Sequence, residues 1–564
     1  MEKNRRKFIK QVGTLSAGVG LLSTMPLNSE SKELIETGDD LIPEEKKPFT
    51  ITIYQTTDIH CQIHPHDELF WENDKPVYRK TGGYAQLSTY FKNERKKNQN
   101  TFFIDTGDMF QGSELSVKTT GKAIVPILNH LEYDLYLPGN WEVIYYKQAM
   151  QKLLGALNAP KICANMYHDL GGGKRGELIF LPYHTWNVNG FKIGFLGYTD
   201  PLVPTRQSPN YSKGILYSKP EENLAHYVDH LKNYEQCNYV FIIAHLGLSQ
   251  QIALANLPEC KDVDYILGGD THERVRKPIL CKYSKVVEPG AFGSFVGKLK
   301  LTIHECKVVK DEYELVEITA NKFKEDQEVV SLISNNEIPF KKDIYEIVGY
   351  STIPLYRYFV VENTIDTLIL NALKWKMKDI DIVLSNGFRF CPPNSTPDLT
   401  GNIPITQGFI FDMLPVDSII RRGHVNGNQI IDWLEQELHN VFASKAEERF
   451  GAWVVKFKGM EIQFNAFAEK GKRLQKITVS GQTLVPEKKY SISACERDGD
   501  PVDMLCRIRG VLNPLNTPYT LHKVMREYLK ANSPVTPTPP GSAIVLDAPQ
   551  TLLTQVTGVD YKFY

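Results

Sequence analysis

Thr57-Asp58-Ile59-His60 follows a strand-like run that contains Ile51, Ile53 and Tyr54. The same arrangement recurs down the chain. Thr101-Phe102-Phe103-Ile104-Asp105 stops at Thr106-Gly107-Asp108, and Asp134-Leu135-Tyr136-Leu137 runs into Gly139-Asn140-Trp141-Glu142. Tyr239-Val240-Phe241-Ile242-Ile243-Ala244 ends at His245, and Val263-Asp264-Tyr265-Ile266-Leu267 ends at Gly268-Gly269-Asp270-Thr271-His272. Each of these β-rich runs delivers Asp, Asn or His at its C-terminal end. One polar residue after one strand is an ordinary turn; five such endings are not. Open α/β sheets bind ligands at that edge. Helical spacing over 83–98 and 221–234 fits the connections between strands. The expectation is an α/β fold with a ligand site at the strand ends.

The residue types point to metal. Oxygen and imidazole donors of this kind hold Mn, Fe or Zn ions. Two divalent ions need a bridging carboxylate with His or Asp flanking each, often joined by an amide oxygen. Asp108 is the natural bridge. Asp58, His60 and His272 then suit one ion, and Asn140, His245 and Asp270 the other. Such a pair can acidify a shared hydroxide and neutralise charge on an attacked oxyanion. Manganese is the first expectation, with zinc or iron as the other candidates.

Composition narrows the class. The chain has 564 residues, enough for two large domains, with 42% hydrophobic and 23% charged residues. A formal net charge of −1 gives no bulk field for nucleic acid or anionic lipid. No apolar run is long enough to span a bilayer. The start, Met1-Glu2-Lys3-Asn4-Arg5-Arg6-Lys7-Phe8-Ile9-Lys10 followed by a weak apolar run to Met25, resembles a twin-arginine export signal and implies a periplasmic protein. The expected division is a signal region over 1–29, a linker over 30–47, a first domain over 48–322 and a connector over 323–350. A second domain over 351–532 and a tail over 533–564 complete it. The tail turns from Pro- and Thr-rich to apolar and either packs back or dangles. The nine cysteines show no CxxC pairs; Cys495 and Cys506 are close enough in sequence to bridge.

The ordered segments Asp-x-His, Gly-Asp, Gly-Asn, His and Gly-x-Thr-His resemble the calcineurin-like metallophosphoesterase superfamily and, within it, the 5′-nucleotidase family. Cys163-Ala164-Asn165-Met166, Gly197-Tyr198-Thr199-Asp200-Pro201 and Glu288-Pro289-Gly290-Ala291-Phe292-Gly293 resemble further landmarks of that family. The resemblance implies a four-layer αββα sandwich holding two metals, then a smaller α/β domain that closes over the substrate. It puts Asn140, Trp141 and Glu142 at the reacting centre. In the second domain it implies substrate binding by Asn386 and Arg389, within Asn386-Gly387-Phe388-Arg389, and by Arg497 and Asp498.

Departures from the pattern matter as much. The family's Gly-Asn-His-Glu reads Gly139-Asn140-Trp141-Glu142, so its catalytic histidine is absent; the supporting Asp is Ile144. Gly-His-x-His reads Gly269-Asp270-Thr271-His272. The positions for an aromatic base clamp fall at Val416 and at Cys495-Glu496-Arg497. A missing general acid removes typically ~10²–10⁴-fold for an alkoxide leaving group. Thiolates and phosphoanhydride leaving groups lose far less. Two substrates therefore stay open: a phosphorylated small molecule, nucleotide or phosphoanhydride, or a sulfonated cysteine on a carrier protein. The second is the chemistry of the sulfur-oxidation thiosulfohydrolase branch, which Trp141-Glu142 resembles. A reading of another class is a metal-binding protein that recruits a partner without turnover. His64 and His66 are candidates to replace the acid, or else are loop residues. Arg421-Arg422 is a weaker candidate for anion contact.

Overall fold

The computed structural model describes residues 47–73, 75–385, 391–451 and 453–549. The twin-arginine reading of residues 1–29 and the expected substrate ligands Asn386 and Arg389 lie outside them.

The first domain is built on two sheets. In one, Phe49–Thr56 runs parallel to Thr101–Asp105, which runs parallel to Leu135–Tyr136. Phe295–His304 and Lys307–Glu317 extend the other edge antiparallel. In the second sheet Phe191–Thr199, Tyr239–His245, Tyr265–Gly269 and Lys285–Val287 are parallel neighbours. Tyr183–Val188 and Ile279–Leu280 close its two edges antiparallel. The central strand Tyr239–His245 is buried at every position, as its continuous apolar run demands of a parallel strand covered on both faces. One core, from Ile51 to Ile333, joins both sheets and their helices. Helices Tyr84–Lys97 and Val125–Leu131 cover the first sheet, and Leu248–Ala255 covers the second. The result is the four-layer αββα sandwich. All five segments expected to hold metal leave parallel strands at their C-terminal ends, on one edge.

The second domain has a mixed sheet in the order Lys456–Lys458, Ile382–Ser385, Lys489–Cys495, Ile419–Asn426, Leu512–Thr520. Helices Thr364–Lys376, Gly427–Phe442 and Leu521–Asn532 pack on it, each opened by a side-chain cap from Asn363, Asn426 or Thr520. The segments that composition set apart as connector and tail both contribute strands. Ile347–Ser351 pairs with Ile403–Thr406, and Ala543–Val545 pairs in parallel with Met460–Phe464. The tail thus packs back as far as it is described.

The hairpin His66–Glu72/Lys75–Thr81 belongs to the first domain by sequence, yet packs into the second. Leu69 is fully buried in the core of Val360, Val361 and Leu434. Trp71 meets Phe359, and Tyr78 meets Tyr356. Asp67 accepts from Ser395 N at 2.8 Å. Glu68 accepts from Arg274 Nη2 at 2.6 Å, from Ser294 Oγ and from the Tyr358 hydroxyl, so one buried carboxylate ties both domains.

Candidate metal centre

Asp58 and His60 sit on the turn after Phe49–Thr56, Asp108 follows Thr101–Asp105, and His245 ends its strand; Asp270 and His272 follow Tyr265–Gly269. The turns are tight. Asp58, His60, Asp108, Asp270 and His272 all have positive φ, between 50° and 89°. Non-glycine residues rarely adopt that region, and such strain concentrates at functional sites. Glycines make room between the turns. A Cβ on Gly107 would meet Gly139 N at 2.4 Å, and one on Gly269 would meet Thr57 Oγ1 at 2.1 Å.

The side chains converge in two overlapping groups, Asp58/His60/His272 and Asp58/Asp108/His245. His272 Nε2 lies 3.2 Å from Asp58 Oδ1 and 3.1 Å from His60 Nε2. His245 Nε2 lies 3.2 Å from Asp108 Oδ2 and 3.8 Å from both Asp58 Oδ1 and Asp270 Oδ1. Asp108 Oδ2 is also 3.7 Å from His60 Nε2. Asp58 and Asp108 thus both stand between the two groups, where the sequence singled out Asp108 alone. Asn140 Nδ2 donates to Asp270 Oδ1 at 2.6 Å. Five of the seven expected ligands, Asp58, His60, Asp108, His245 and His272, fall in these two groups, and Asp270 and Asn140 adjoin them.

The donors fit cations. His245 Nδ1 faces the Thr106 carbonyl at 2.7 Å and His60 Nδ1 the Gln111 carbonyl at 3.1 Å. A carbonyl can only accept, so each Nδ1 carries a proton and each Nε2 is the atom turned inward. Asp58 Oδ1 and His245 Nε2 are buried with no hydrogen-bond partner, an arrangement native proteins avoid unless an ion or water completes it. Burial alone would push the Asp58 carboxyl up, but the imidazoles of His245, His272 and His60 hold it well below the usual range. Burial opposes charge on His245, yet Asp108 and Asp58 outweigh it and raise its pKa well above that of a free imidazole.

Glu142, expected at the reacting centre, has a different place. Its Oε1 accepts from Met109 N at 2.7 Å, and its Oε2 accepts from Asp108 N at 3.0 Å and from Gly139 N. It clamps two ligand turns together instead of facing substrate. Burial and the charge of Asp108 push its carboxyl up to about 7. Trp141 N donates to Asp108 Oδ1 at 2.7 Å, while its indole packs with Ile144, Ala291 and Phe292 against Tyr211 and Val416.

A cavity of about 480 Å³ opens between the domains beside this cluster, lined by Trp141, Arg206, Tyr211, Val416, Cys495 and Asp498 among others. Val416 and Cys495 therefore do line this cavity, without an aromatic ring at either place. Arg497 lines it too, but its guanidinium pairs with Asp500 at 2.7 and 2.9 Å and donates to Thr205 O. Asp498 bonds Asn210. His64 pairs with Glu337 and His66 with Ser294 Oγ; neither lines the cavity. Arg421 and Arg422 pair with Glu496 and Asp379. All nine cysteines are free thiols, so Cys495 and Cys506 do not bridge. The sequence reading missed Arg206 and Gln207, which reach Asp270 and Asn140 from the end of the one-turn helix Val203–Arg206, too short to give a periodic or spacing signal.

Residues 51–274 match the calcineurin-like phosphoesterase family and residues 347–494 the 5′-nucleotidase C-terminal domain family. The chain thus carries a calcineurin-like phosphoesterase domain followed by a 5′-nucleotidase C-terminal domain. It is a metal-dependent hydrolase. Among its relatives, the 5′-nucleotidase of Vibrio cholerae is 22% identical over 545 residues, covering 87% of this chain and 92% of that one. The trifunctional nucleotide phosphoesterase protein YfkN of Bacillus subtilis is 23% identical over 492 residues; these span 79% of this chain but 31% of that protein. Two solved folds are similar over 89% of the chain. A sulfate thiohydrolase SoxB from Thermus thermophilus has a TM-score of 0.78 at 20% identity, with 98% of it covered. A 5′-nucleotidase precursor from the same species has 0.74 at 21%, with 100% covered.

Proposed function

We propose that the protein is an exported two-metal hydrolase acting on a phosphoryl centre, nucleotide or phosphoanhydride, whose leaving group departs without a proton from histidine. Asp58, His60 and His272 would hold one divalent ion and Asn140, His245 and Asp270 the other, with Asp108 shared. When bound, such ions supply Lewis acidity and make water a nucleophile at neutral pH. The chain's own residues orient the ligands. Glu142 fixes the Asp108 and Gly139 turns, and the carbonyls of Thr106 and Gln111 aim His245 and His60.

The observation that carries this reading is the indole of Trp141, packed with Ile144, Phe292 and Val416 next to Asn140. An alkoxide leaving there forgoes the ~10²–10⁴-fold that a general acid contributes. A phosphate leaving from an anhydride does not need it. The non-aromatic lining at Val416 and Cys495 favours one second reading, cleavage of a cysteine S-sulfonate on a carrier protein. A thiolate is a stable leaving group, with a pKa near ~8.5, and the name of the Thermus thermophilus sulfate thiohydrolase is consistent with it.

The test is a panel assay of Mn²⁺-loaded protein with AMP, ADP, UDP-glucose, bis(nitrophenyl) phosphate and a cysteine-S-sulfonate peptide. Anhydrides and the activated ester should turn over well ahead of AMP. AMP hydrolysed as fast as ADP would sink the leaving-group argument, and preference for the S-sulfonate would move the assignment to the second reading. Asp108→Ala should lose at least one ion; retention of both would refute its bridging place. Export is tested by R5K/R6K, which should leave the protein in the cytoplasmic fraction.

A further inference from the structure

The segment after Phe191–Thr199, with the one-turn helix Val203–Arg206 and its cap Gln207, carries two side chains into the cluster. Arg206 Nη1 lies 3.0 Å from Asp270 Oδ2 and 2.7 Å from Asp200 Oδ2. Next to it, Gln207 Nε2 donates to Asn140 Oδ1 at 3.2 Å. Asp270 is therefore held on two sides. Its Oδ2 faces the guanidinium, while its Oδ1 faces Asn140 and His245, at 2.6 and 3.8 Å. Two glycines leave room for this pair. A Cβ on Gly247 would lie 3.0 Å from Asp270 Oδ2, and one on Gly451 3.3 Å from Arg206 Nη2. Both have positive φ, +82° and +80°.

This segment is anchored from the second domain. Arg497 Nη1 donates to Thr205 O at 2.5 Å, and Ser208 Oγ donates to Asp498 O. The aim of Arg206 is thus set by both domains, although its ion pairs are to the first.

The charge at this spot is unusual. Asp270 stands where the resembling pattern has a neutral imidazole, so the cluster carries one more carboxylate beside Asp58 and Asp108. Asp200, also buried, adds another close by. Two carboxylates on one side of a water-poor site repel, and each free oxygen widens the range of orientations. A guanidinium fork answers both problems, because it is planar, permanently charged and directional.

We propose that Arg206 is the positioning residue that makes Asp270 a workable metal ligand, by binding Oδ2, cancelling the added charge and leaving Oδ1 alone to face the site. The proposal rests on the two-ion reading above. Groups that orient metal ligands from behind typically carry ~10–100-fold in metal affinity.

The test uses the full chain as wild type, R206M, R206K, D270H and D270H/R206M, with Mn²⁺ binding by titration calorimetry as the main readout. Circular dichroism and melting of the metal-free proteins check folding. Wild type should bind two ions. R206M should weaken one ion by about 10-fold or more and leave the other within about 3-fold. R206K, which keeps the charge, should fall between. In D270H a neutral imidazole needs no counter-charge, so adding R206M to D270H should change affinity by less than about 3-fold. Equal affinities in wild type and R206M would overturn the proposal, as would R206M effects that are the same with Asp and with His at position 270. One ion or none in wild type would instead overturn the two-ion reading beneath it. If R206M fails to fold, R206K and the D270H pair decide: an affinity in R206K below wild type, with no loss on adding R206M to D270H, supports the role. A loss of both sites in the D270H pair overturns it.

Discussion

At the scale of single residues, the members of the candidate cluster were legible and the groups that aim them were not. Asp58, His60, Asp108, Asn140, His245, Asp270 and His272 announce themselves because each ends a β-rich run. Arg206, Gln207 and the Gln111 carbonyl act from a one-turn helix, its cap and a loop, where neither period nor spacing distinguishes them. Glu142 shows the opposite error: its position beside Asn140 suggested chemistry, but its oxygens hold three backbone amides. Trp141 is the residue whose reading matters most. Restoring the resembling pattern with W141H/I144D should raise kcat for AMP by about 10-fold or more, a share of the ~10²–10⁴-fold a general acid contributes. Rates for ADP should move much less. Steady-state kinetics on both substrates would check this, and an equal gain on both would show that the proton is not what Trp141 withholds.

Elements were predicted where periodicity is strong. The fully buried strand Tyr239–His245 and the helix Tyr84–Lys97 follow their patterns closely. The strand Ile347–Ser351 was hidden in a charged stretch because it has one partner, Ile403–Thr406, and is half exposed. The contact between Phe49–Thr56 and Thr101–Asp105 gives a pH prediction. Asp105 is fully buried; its Oδ2 accepts from Thr56 Oγ1 at 2.6 Å and its Oδ1 from Gly107 N at 2.9 Å. Burial, with Glu142 and Asp58 nearby, pushes its carboxyl up to about 8. The folded state therefore keeps a proton that the unfolded chain releases near its ordinary value of ~3.9. The stability this lends is complete below that value and is lost as pH rises toward 8. In metal-free D105N, an uncharged near-isostere, the fall in Tm between about pH 4 and 8 should be shallower than in metal-free wild type. A parallel decline in both proteins would remove Asp105 from the account.

On the scale of the whole molecule, two domains and their order could be read from the chain, but their fastening could not. The hairpin His66–Glu72/Lys75–Thr81 reads as an ordinary pair of amphipathic strands; only the structure shows its Leu69 in the second domain's core. Glu68 is a point of high leverage, since its removal would take the carboxylate from Arg274, which is 1% exposed and would keep the Leu69 carbonyl. Breaking a buried ion pair from one side costs ~3–5 kcal/mol. E68A should therefore melt well below wild type, and E68Q, which can still accept a hydrogen bond, should lose less. Calorimetry on both variants would check this, and an unchanged Tm in E68A would mean that the domains hold without the pair. The same hairpin bears on how such a protein can be inherited. A recombination that carried the second domain alone into another gene would leave Leu69, Trp71 and Tyr78 behind and open its core to water. For this chain the domain boundary in sequence is not a place where the molecule can be divided, so its two halves are expected to travel, diversify and be lost together.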